Sequence, residues 1–309
     1  MSSGFQTAPV KKDGTKHLCF VLCFIAFLLG TTFLSGCANL SAVRTYADET
    51  KKLSAAFEPM LAGSTSSCVE KFKLKKMLTS RNFDAAAAEQ TARLLCGPID
   101  ENNKIMSDTN SLLEQYADTL AALANDTLPS YRKELGGIQN SLSKVKRSGT
   151  QESLIDEKKL ASIVSLTDFL SRVVTQRMQK AAIRDLLNHE EAIINITDAL
   201  KDYATLNYRS WLKDEKREII VLRKSLKDTA KTEPLASNYL DTLLLTEEKQ
   251  IEARDKLVDT FVNAVDKLQK SHSELLKNFN TIDAKDLVTQ LIDYKNEVSK
   301  LRKQMSEAF

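Results

Sequence analysis

The sequence predicts an all-α protein: an elongated bundle of long antiparallel helices with coiled-coil-like packing, preceded by short N-terminal helices tied by one disulfide. Two observations support this fold class. Only 9 Gly and 5 Pro occur among 309 residues, so few positions interrupt a helix. Apolar residues also recur at alternating spacings of four and three, most regularly from Leu240 to Phe279. No segment shows the alternation that is typical of a strand.

The N-terminal segment has the pattern of an export signal. Three lysines precede an apolar run that begins at Leu18, and small residues follow it. The apolar run is short for a membrane-spanning helix, which needs about 20 apolar residues. It ends in four residues with a recognisable pattern, namely Leu34, Ser35, Gly36 and Cys37.

This tetrapeptide resembles the lipobox of bacterial lipoproteins. The resemblance implies cleavage before Cys37 and acylation of Cys37, so that its acyl chains anchor the protein in membrane lipid. It also implies a periplasm-facing protein of the bacterial envelope, and Ala38 directly after the cysteine favours the outer membrane over the inner one. The alternative is an uncleaved membrane anchor, because no charged residue occurs from Leu18 to Val43.

These patterns divide the chain into four predicted parts. Residues 1–36 are the signal peptide, 37–40 the lipidated tether, 41–97 the short N-terminal helices, and 98–309 the long-helix bundle. The formal charge is +3, of which +2 belongs to residues 1–36, leaving +1 for the predicted mature chain. Such a balance does not predict nucleic-acid binding, which normally requires a clustered basic face.

The cysteines predict one disulfide. Cys19 and Cys23 lie in the signal and Cys37 carries the acyl chains, so Cys68 and Cys96 remain. In an oxidising compartment this pair is expected to form a bridge, although two free buried thiols are an alternative. Neither cysteine has a second Cys or a His at the spacing of a metal site.

Three short helices are predicted before residue 98. The first covers Ser41–Leu61 and is followed by a loop over Gly63–Ser67, a segment rich in small polar residues. The second begins at Cys68. The third covers Asp84–Leu95 and ends at Gly97–Pro98.

Longer helices are predicted over the rest of the chain. One runs from about Pro98 to Arg147 with a kink at Pro129, and Ser148–Thr150 forms the next break. Ser153–Ala230 contains neither Gly nor Pro, so a bend is expected only at Asn188–His189 or at Asn195. Pro234 is expected in the first turn of the heptad-patterned helix, and a turn over 280–283 leads into a last helix.

The segment from Leu112 to Leu123 reads LLEQYADTLAAL. It is similar to a segment common in uncharacterised all-helical bacterial lipoproteins. The resemblance implies a helical-bundle lipoprotein and implies no activity.

No catalytic, cofactor-binding or metal-binding constellation is recognisable in the sequence. The histidines that remain after predicted cleavage are His189 and His272, and neither belongs to a Glu-x-x-His motif. Asp185 and His189 are interpreted as a surface pair, and His272 as a polar register position on the heptad seam, together with Glu247 and Arg254. An enzyme is therefore not expected.

Two classes of function remain open. The first is a structural or interaction protein that docks an envelope protein partner, with Trp211 as the candidate contact because Trp is enriched at interface hot spots. The second is a binding module that holds a small or apolar ligand in the bundle. An exposed aromatic patch would favour the partner, whereas an excess of small residues facing a helix seam would favour the ligand.

Overall fold

The computed structural model describes residues 14–125, 127, 129–132, 138–147, 150, 152–173, 179–280 and 284–309, and describes only the backbone of 14–39, 139–140, 179 and 229. Within these residues the protein is built from α-helices, and the only β-type pairing is an isolated bridge between Lys146 and Ser153. The all-α prediction is therefore confirmed.

The helices are long and follow one another closely. They are α1 (Gly14–Thr79), α2 (Ala85–Ala124), α3 (Gln139–Leu142), α4 (Glu157–Val173), α5 (Gln179–Leu187), α6 (Glu190–Asp202), α7 (Arg209–Thr229), α8 (Pro234–Asn278) and α9 (Lys285–Ala308). A π-helical turn, Tyr203–Tyr208, joins α6 to α7 without a break.

Helices α1 and α2 form a long antiparallel hairpin, which corrects the prediction of short N-terminal helices. The Asn103 side chain donates to the Leu61 carbonyl, and Asn110 donates to the Ser54 carbonyl further along. Asp84 caps α2 by accepting from two backbone N–H groups. The hairpin is closed by the predicted disulfide between Cys68 and Cys96, which is confirmed.

The predicted loop over Gly63–Ser67 is wrong, because α1 continues through it. Ser64 and Ser67 are fully buried, so these small residues serve close helix packing rather than a turn. Gly97–Pro98 likewise lies inside α2 and does not end it. Glycine lowers helix stability by about 1 kcal/mol and proline by about 3 kcal/mol, and packing against α1 offsets these costs.

The helix predicted from Pro98 to Arg147 ends instead at Ala124, where Asn125 forms the C-cap. The described residues between 127 and 156 are irregular apart from α3, and Pro129 lies in this connection. The predicted bend at Asn188–His189 is confirmed as the turn between α5 and α6, whereas Asn195 lies inside α6. The predicted break at 148–149 and turn at 281–283 lie outside the described residues.

Helix α8 begins at Pro234, as predicted, and is central to the bundle. It packs against α1, α6, α7 and α9, and its seam residues from Leu244 to Leu275 include a set of buried apolar side chains. The His272 ring lies in this core between Tyr46 and Tyr116, at centroid distances of 5.8 and 5.9 Å. The prediction that His272 faces the seam is confirmed.

Candidate functional site

A buried ion pair joins α7 to α8. The Nη2 atom of Arg254 lies 3.6 Å from Oε1 of Glu215, and the two side chains are only 11% and 4% exposed. Burial raises the pKa of the Glu215 carboxyl, and the Arg254 charge opposes that rise. The second carboxylate oxygen of Glu215 has no hydrogen-bond partner among the described residues. Such a desolvated carboxylate would gain from an additional hydrogen-bond donor.

Helix α1 approaches this ion pair through its small residues. The hydroxyl of Ser67 is buried beside Glu215, where its hydrogen-bonding interaction with the carboxyl opposes the rise in pKa. A Cβ atom added to Gly63 would lie 2.9 Å from the Tyr208 hydroxyl oxygen. Gly63 therefore allows α1 to contact the π-helical turn, which positions Tyr208 beside Arg254.

A cavity of about 460 Å³ lies beside the ion pair, between α1, α7, α8 and the last residues of the chain. Its charged lining residues are Glu70, Glu215, Glu247 and Arg254. Its large apolar lining residues are Leu74, Ile219, Leu244 and Phe309. Its volume lies within the range of ligand pockets, although charged residues line it as often as large apolar residues do.

Trp211 lies one helical turn before Glu215 on α7. It packs against the small cluster that contains the Cys68–Cys96 disulfide, together with Phe72. The Nζ atom of Lys71 lies 4.8 Å from the Trp211 ring centroid and forms a 2.6 Å ion pair with Asp214. Trp211 is therefore partly covered by α1, and its role as a partner contact stays a prediction.

The lipobox residues Leu34–Cys37 fall within the backbone of α1, in the segment whose side chains lie outside the described residues. Their chemistry therefore stays a prediction. In the described part of the chain, no helix has both the length and the apolar character required to cross a membrane.

His189 and His272 lie apart from the cavity. His189 stands at the turn before α6 with its ring centroid 5.0 Å from that of Phe169, and burial is the main cause that lowers its pKa. His272 is buried in the core. The described residues contain no cluster of three or more His, Cys, Asp or Glu side chains arranged to hold a metal ion.

Sequence reasoning identified Arg254 as a polar seam position but did not identify its partner. The signal for Glu215 was present, because Leu212, Glu215, Ile219 and Leu222 follow the three-four spacing of a buried stripe. All four side chains are buried. The sequence therefore contains an acidic residue, Glu215, in the buried stripe of α7 and a basic residue, Arg254, in the seam of α8. Because a buried charge needs a partner, these positions predict an ion pair between the two helices.

Comparison with protein families, with curated proteins and with solved structures finds no match for this chain. The fold and the site define a disulfide-braced, all-helical bundle with a charged cavity between α1, α7, α8 and the end of α9.

Proposed function

We propose that this protein is a lipid-anchored, non-catalytic interaction protein of the bacterial envelope. In this proposal acylated Cys37 holds the bundle on the periplasmic face of a membrane, with the outer membrane favoured by Ala38. The Cys68–Cys96 disulfide supports an exported protein, because disulfides persist mainly in oxidising compartments. The helical bundle would then present a helix face to an envelope protein partner.

One observation carries the partner-binding function: an exposed apolar stripe on the first turns of α8. Leu235, Tyr239 and Leu243 are 84%, 67% and 45% exposed and follow one another at four-residue spacing. Helical geometry places them on one side of the helix. We call these three residues the α8 stripe.

The α8 stripe continues a side of α8 that is buried further along. Tyr239 lies about five helical turns before Leu257, and Leu243 lies about five turns before Phe261. Because five turns bring the helix back to the same side, Tyr239 and Leu257 lie on one side of α8, as do Leu243 and Phe261. Leu257 and Phe261 are fully buried. The apolar side of α8 is thus covered in one half of the helix and uncovered in the other.

The described contacts of α9 lie along the half of α8 that is farther from the α8 stripe. Helix α9 runs antiparallel to α8, with Lys267 bound to Asp293 and Ser271 bound to the Gln290 carbonyl. Ala308 and Phe309 line the cavity together with Gln250, about two helical turns from Leu243. Further along this side of α8, the Phe261 ring packs against Phe57 of α1, with 5.4 Å between the ring centroids. A partner's amphipathic helix could cover the α8 stripe in a similar way, which is the helix-in-groove mode of recognition.

Site-specific crosslinking in intact envelopes tests this proposal. A photoreactive residue at position 239 should capture one defined envelope protein, and one at Trp211 tests the contact predicted from sequence. Tyr239→Glu with Leu243→Glu should abolish capture from a third position on α8, since buried carboxylates oppose apolar docking. Leu245→Glu is the matched control, because Leu245 is also exposed but lies about 120° around the helix from Tyr239. Capture that survives the double substitution would contradict the proposal.

Anchoring is tested separately at Cys37. Cys37→Ser should block processing and leave a longer precursor, because the acylated sulfur is required for the cleavage that the lipobox resemblance implies. Mass spectrometry should find an acylated N-terminal cysteine in the wild type. A mature chain that begins elsewhere without an acyl mass would contradict the anchor.

A second candidate function is favoured by the cavity beside Glu215 and Arg254. In that case the bundle would hold a small ligand at the seam of α1, α7 and α8. The two functions use different surfaces, so a protein captured at the α8 stripe and a ligand bound in the cavity can be measured independently.

A further inference from the structure

One end of the α1–α2 hairpin combines exposed apolar side chains with basic ones. We call this end, residues 70–95, the hairpin tip. Leu94 and Leu95 of α2 are 77% and 56% exposed. Leu95 lines a groove of about 550 Å³ between α1 and α2, and Lys75 and Lys76 of α1 line the same groove. An apolar surface bordered by lysines is therefore open to solvent at the hairpin tip.

The two leucines lie on the side of α2 that faces the groove. Ala87, Thr91 and Leu95 follow one another at four-residue spacing and all line the groove. Leu94 lies three residues after Thr91, which places it on the same side of the helix. The exposed leucines and the lysines therefore belong to one surface.

The hairpin tip carries an excess of positive charge. It contains six basic and three acidic residues, so its formal net charge is +3. The acidic side chains are already engaged. Glu70 forms a 2.7 Å ion pair with Lys73, and Glu89 forms one of 2.7 Å with Arg93. Asp84 accepts from two backbone N–H groups in the first turn of α2.

Three exposed cations remain at the hairpin tip, namely Lys75, Lys76 and Arg81. In the described part of the chain, no ion pair joins any of them to a carboxylate, whereas Lys71 of the same hairpin pairs with Asp214 of α7. Because these three charges are not neutralised within the protein, they would attract an anionic partner.

The combination of lysine and leucine favours a lipid surface over a protein partner. Lysine is depleted in protein interfaces, because its ammonium group is strongly hydrated. At a bilayer surface the alkyl stem of lysine lies along apolar groups while its ammonium group stays among the headgroups. Anionic headgroups attract such lysines, and exposed leucines bury their side chains at the boundary of the acyl chains.

We propose that the hairpin tip docks on an anionic phospholipid bilayer, with Leu94 and Leu95 at the boundary of the acyl chains and Lys75 and Lys76 on the headgroup phosphates. This contact is separate from the α8 stripe and from the acyl anchor. Cys37 and Lys75 lie on the same helix, about 57 Å apart along its axis. The hairpin tip can therefore reach a bilayer other than the one that holds the anchor.

Recruitment between two populations of vesicles tests the proposal. The mature full-length protein is anchored on sucrose-loaded phosphatidylcholine vesicles, which are mixed with fluorescent vesicles and sedimented. Fluorescent vesicles that contain phosphatidylglycerol should sediment with the protein, and pure phosphatidylcholine vesicles should not. High salt should weaken this recruitment, because it screens exposed charges. Equal recruitment of both kinds of vesicle, or recruitment of neither, would overturn the proposal.

Failure of the anchor is distinguishable from failure of the docking surface. A protein that does not load onto the phosphatidylcholine vesicles would contradict the anchor at Cys37. The same protein is then sedimented directly with phosphatidylglycerol vesicles. Binding to these vesicles would support docking by the hairpin tip, and its absence would overturn it.

Lysine variants test the charge of the surface. Lys75→Gln with Lys76→Gln should weaken recruitment about thirtyfold, since each lysine near an anionic bilayer contributes about fivefold. Lys158→Gln with Lys270→Gln is the matched control, which removes the same charge from exposed positions on α4 and α8. Unchanged recruitment by the hairpin-tip variant, or an equal loss in the control, would overturn the proposal.

Leucine variants test whether the partner is a lipid. Leu94→Ser with Leu95→Ser should weaken recruitment by at least about tenfold, because the apolar surface that enters the bilayer is lost. Val288→Ser with Ile292→Ser, at positions of α9 that are 57% and 53% exposed, should leave recruitment unchanged. Recruitment that depends on the lysines but not on the leucines would mean that the hairpin tip recognises charge alone, as for an acidic polymer, and would overturn docking on lipid.

Discussion

The Nδ1 atom of His272 lies 3.9 Å from Oε1 of Glu190, across the contact between α8 and α6. The histidine side chain is 1% exposed and the glutamate side chain 33% exposed. At this distance the pair is an electrostatic contact rather than a hydrogen bond. Both ring nitrogens of His272 lack a hydrogen-bond partner among the described residues. His272 is thus a buried polar ring that its surroundings do not satisfy.

We predict that His272→Leu is tolerated or stabilising, by up to about 1 kcal/mol in the free energy of unfolding. Leucine fills a similar volume and removes two unsatisfied ring nitrogens from the core. His272→Ala should instead cost about 2–4 kcal/mol, because it leaves a cavity between Tyr46 and Tyr116. Urea unfolding of both variants measures the difference. Equal losses for Leu and Ala would mean that the imidazole makes a required polar interaction.

We predict an acid-induced loss of stability that depends on Glu190. The neighbouring His272 side chain, with a smaller contribution from the Ser273 hydroxyl, lowers the pKa of Glu190 from 4.5 to about 2, although burial opposes the shift. A carboxyl group with a depressed pKa stabilises the fold when ionised. Its contribution is present above pH 4.5 and is lost as the pH falls toward 2.

The melting temperature of the wild type, measured at pH 6, 4, 3 and 2, should therefore fall more steeply than that of Glu190→Gln. Parallel curves for the wild type and Glu190→Gln would contradict this account.

We predict opposite effects of alanine at two glycines inside helices. At Gly97 no neighbouring atom lies within 4 Å of an added Cβ, so Gly97→Ala should stabilise the protein by about 0.5–1 kcal/mol through helix propensity. At Gly63 the added Cβ would lie 2.9 Å from the Tyr208 hydroxyl oxygen and 3.1 Å from a ring carbon of Phe309. Because Tyr208 is fully buried, Gly63→Ala should cost about 1–3 kcal/mol.

Thermal unfolding of the two alanine variants, side by side, measures these effects. Stabilisation by Gly63→Ala would show that the contact between α1 and the π-helical turn relaxes easily.

We predict that loss of the Cys68–Cys96 disulfide lowers the melting temperature. For a sequence separation of 28 residues, the chain-entropy model gives about 3.6 kcal/mol. The Cys68→Ser, Cys96→Ser double variant should match the reduced wild type in differential scanning calorimetry. Fluorescence of Trp211, which packs on the disulfide cluster, should report whether the loss includes local opening of the α1–α2 hairpin. An unchanged melting temperature would mean that packing alone sets the geometry of this hairpin.

The sequence was sufficient to predict features that depend on local periodicity and on elimination. The apolar spacing of α8, the position of Pro234 in its first turn and the location of His272 on its seam were predicted because each follows from helical geometry alone. The pairing of Cys68 with Cys96 was predicted because the other cysteines were assigned elsewhere.

The tertiary structure decided the features that depend on packing between distant segments. Gly63–Ser67 has the composition of a loop, yet it is helical because its small side chains allow α1 to pack closely against Tyr208 and Glu215. A residue that disfavours the helix, such as Gly or Pro, raises the free energy of a helical conformation by about 1–3 kcal/mol. The burial of apolar surface between two packed helices can stabilise the helix by more than this cost, so the helix continues through the residue. The Glu215–Arg254 pair and its cavity likewise exist only where α7 and α8 meet, because a charge becomes buried through its neighbours and not through its own position in the chain.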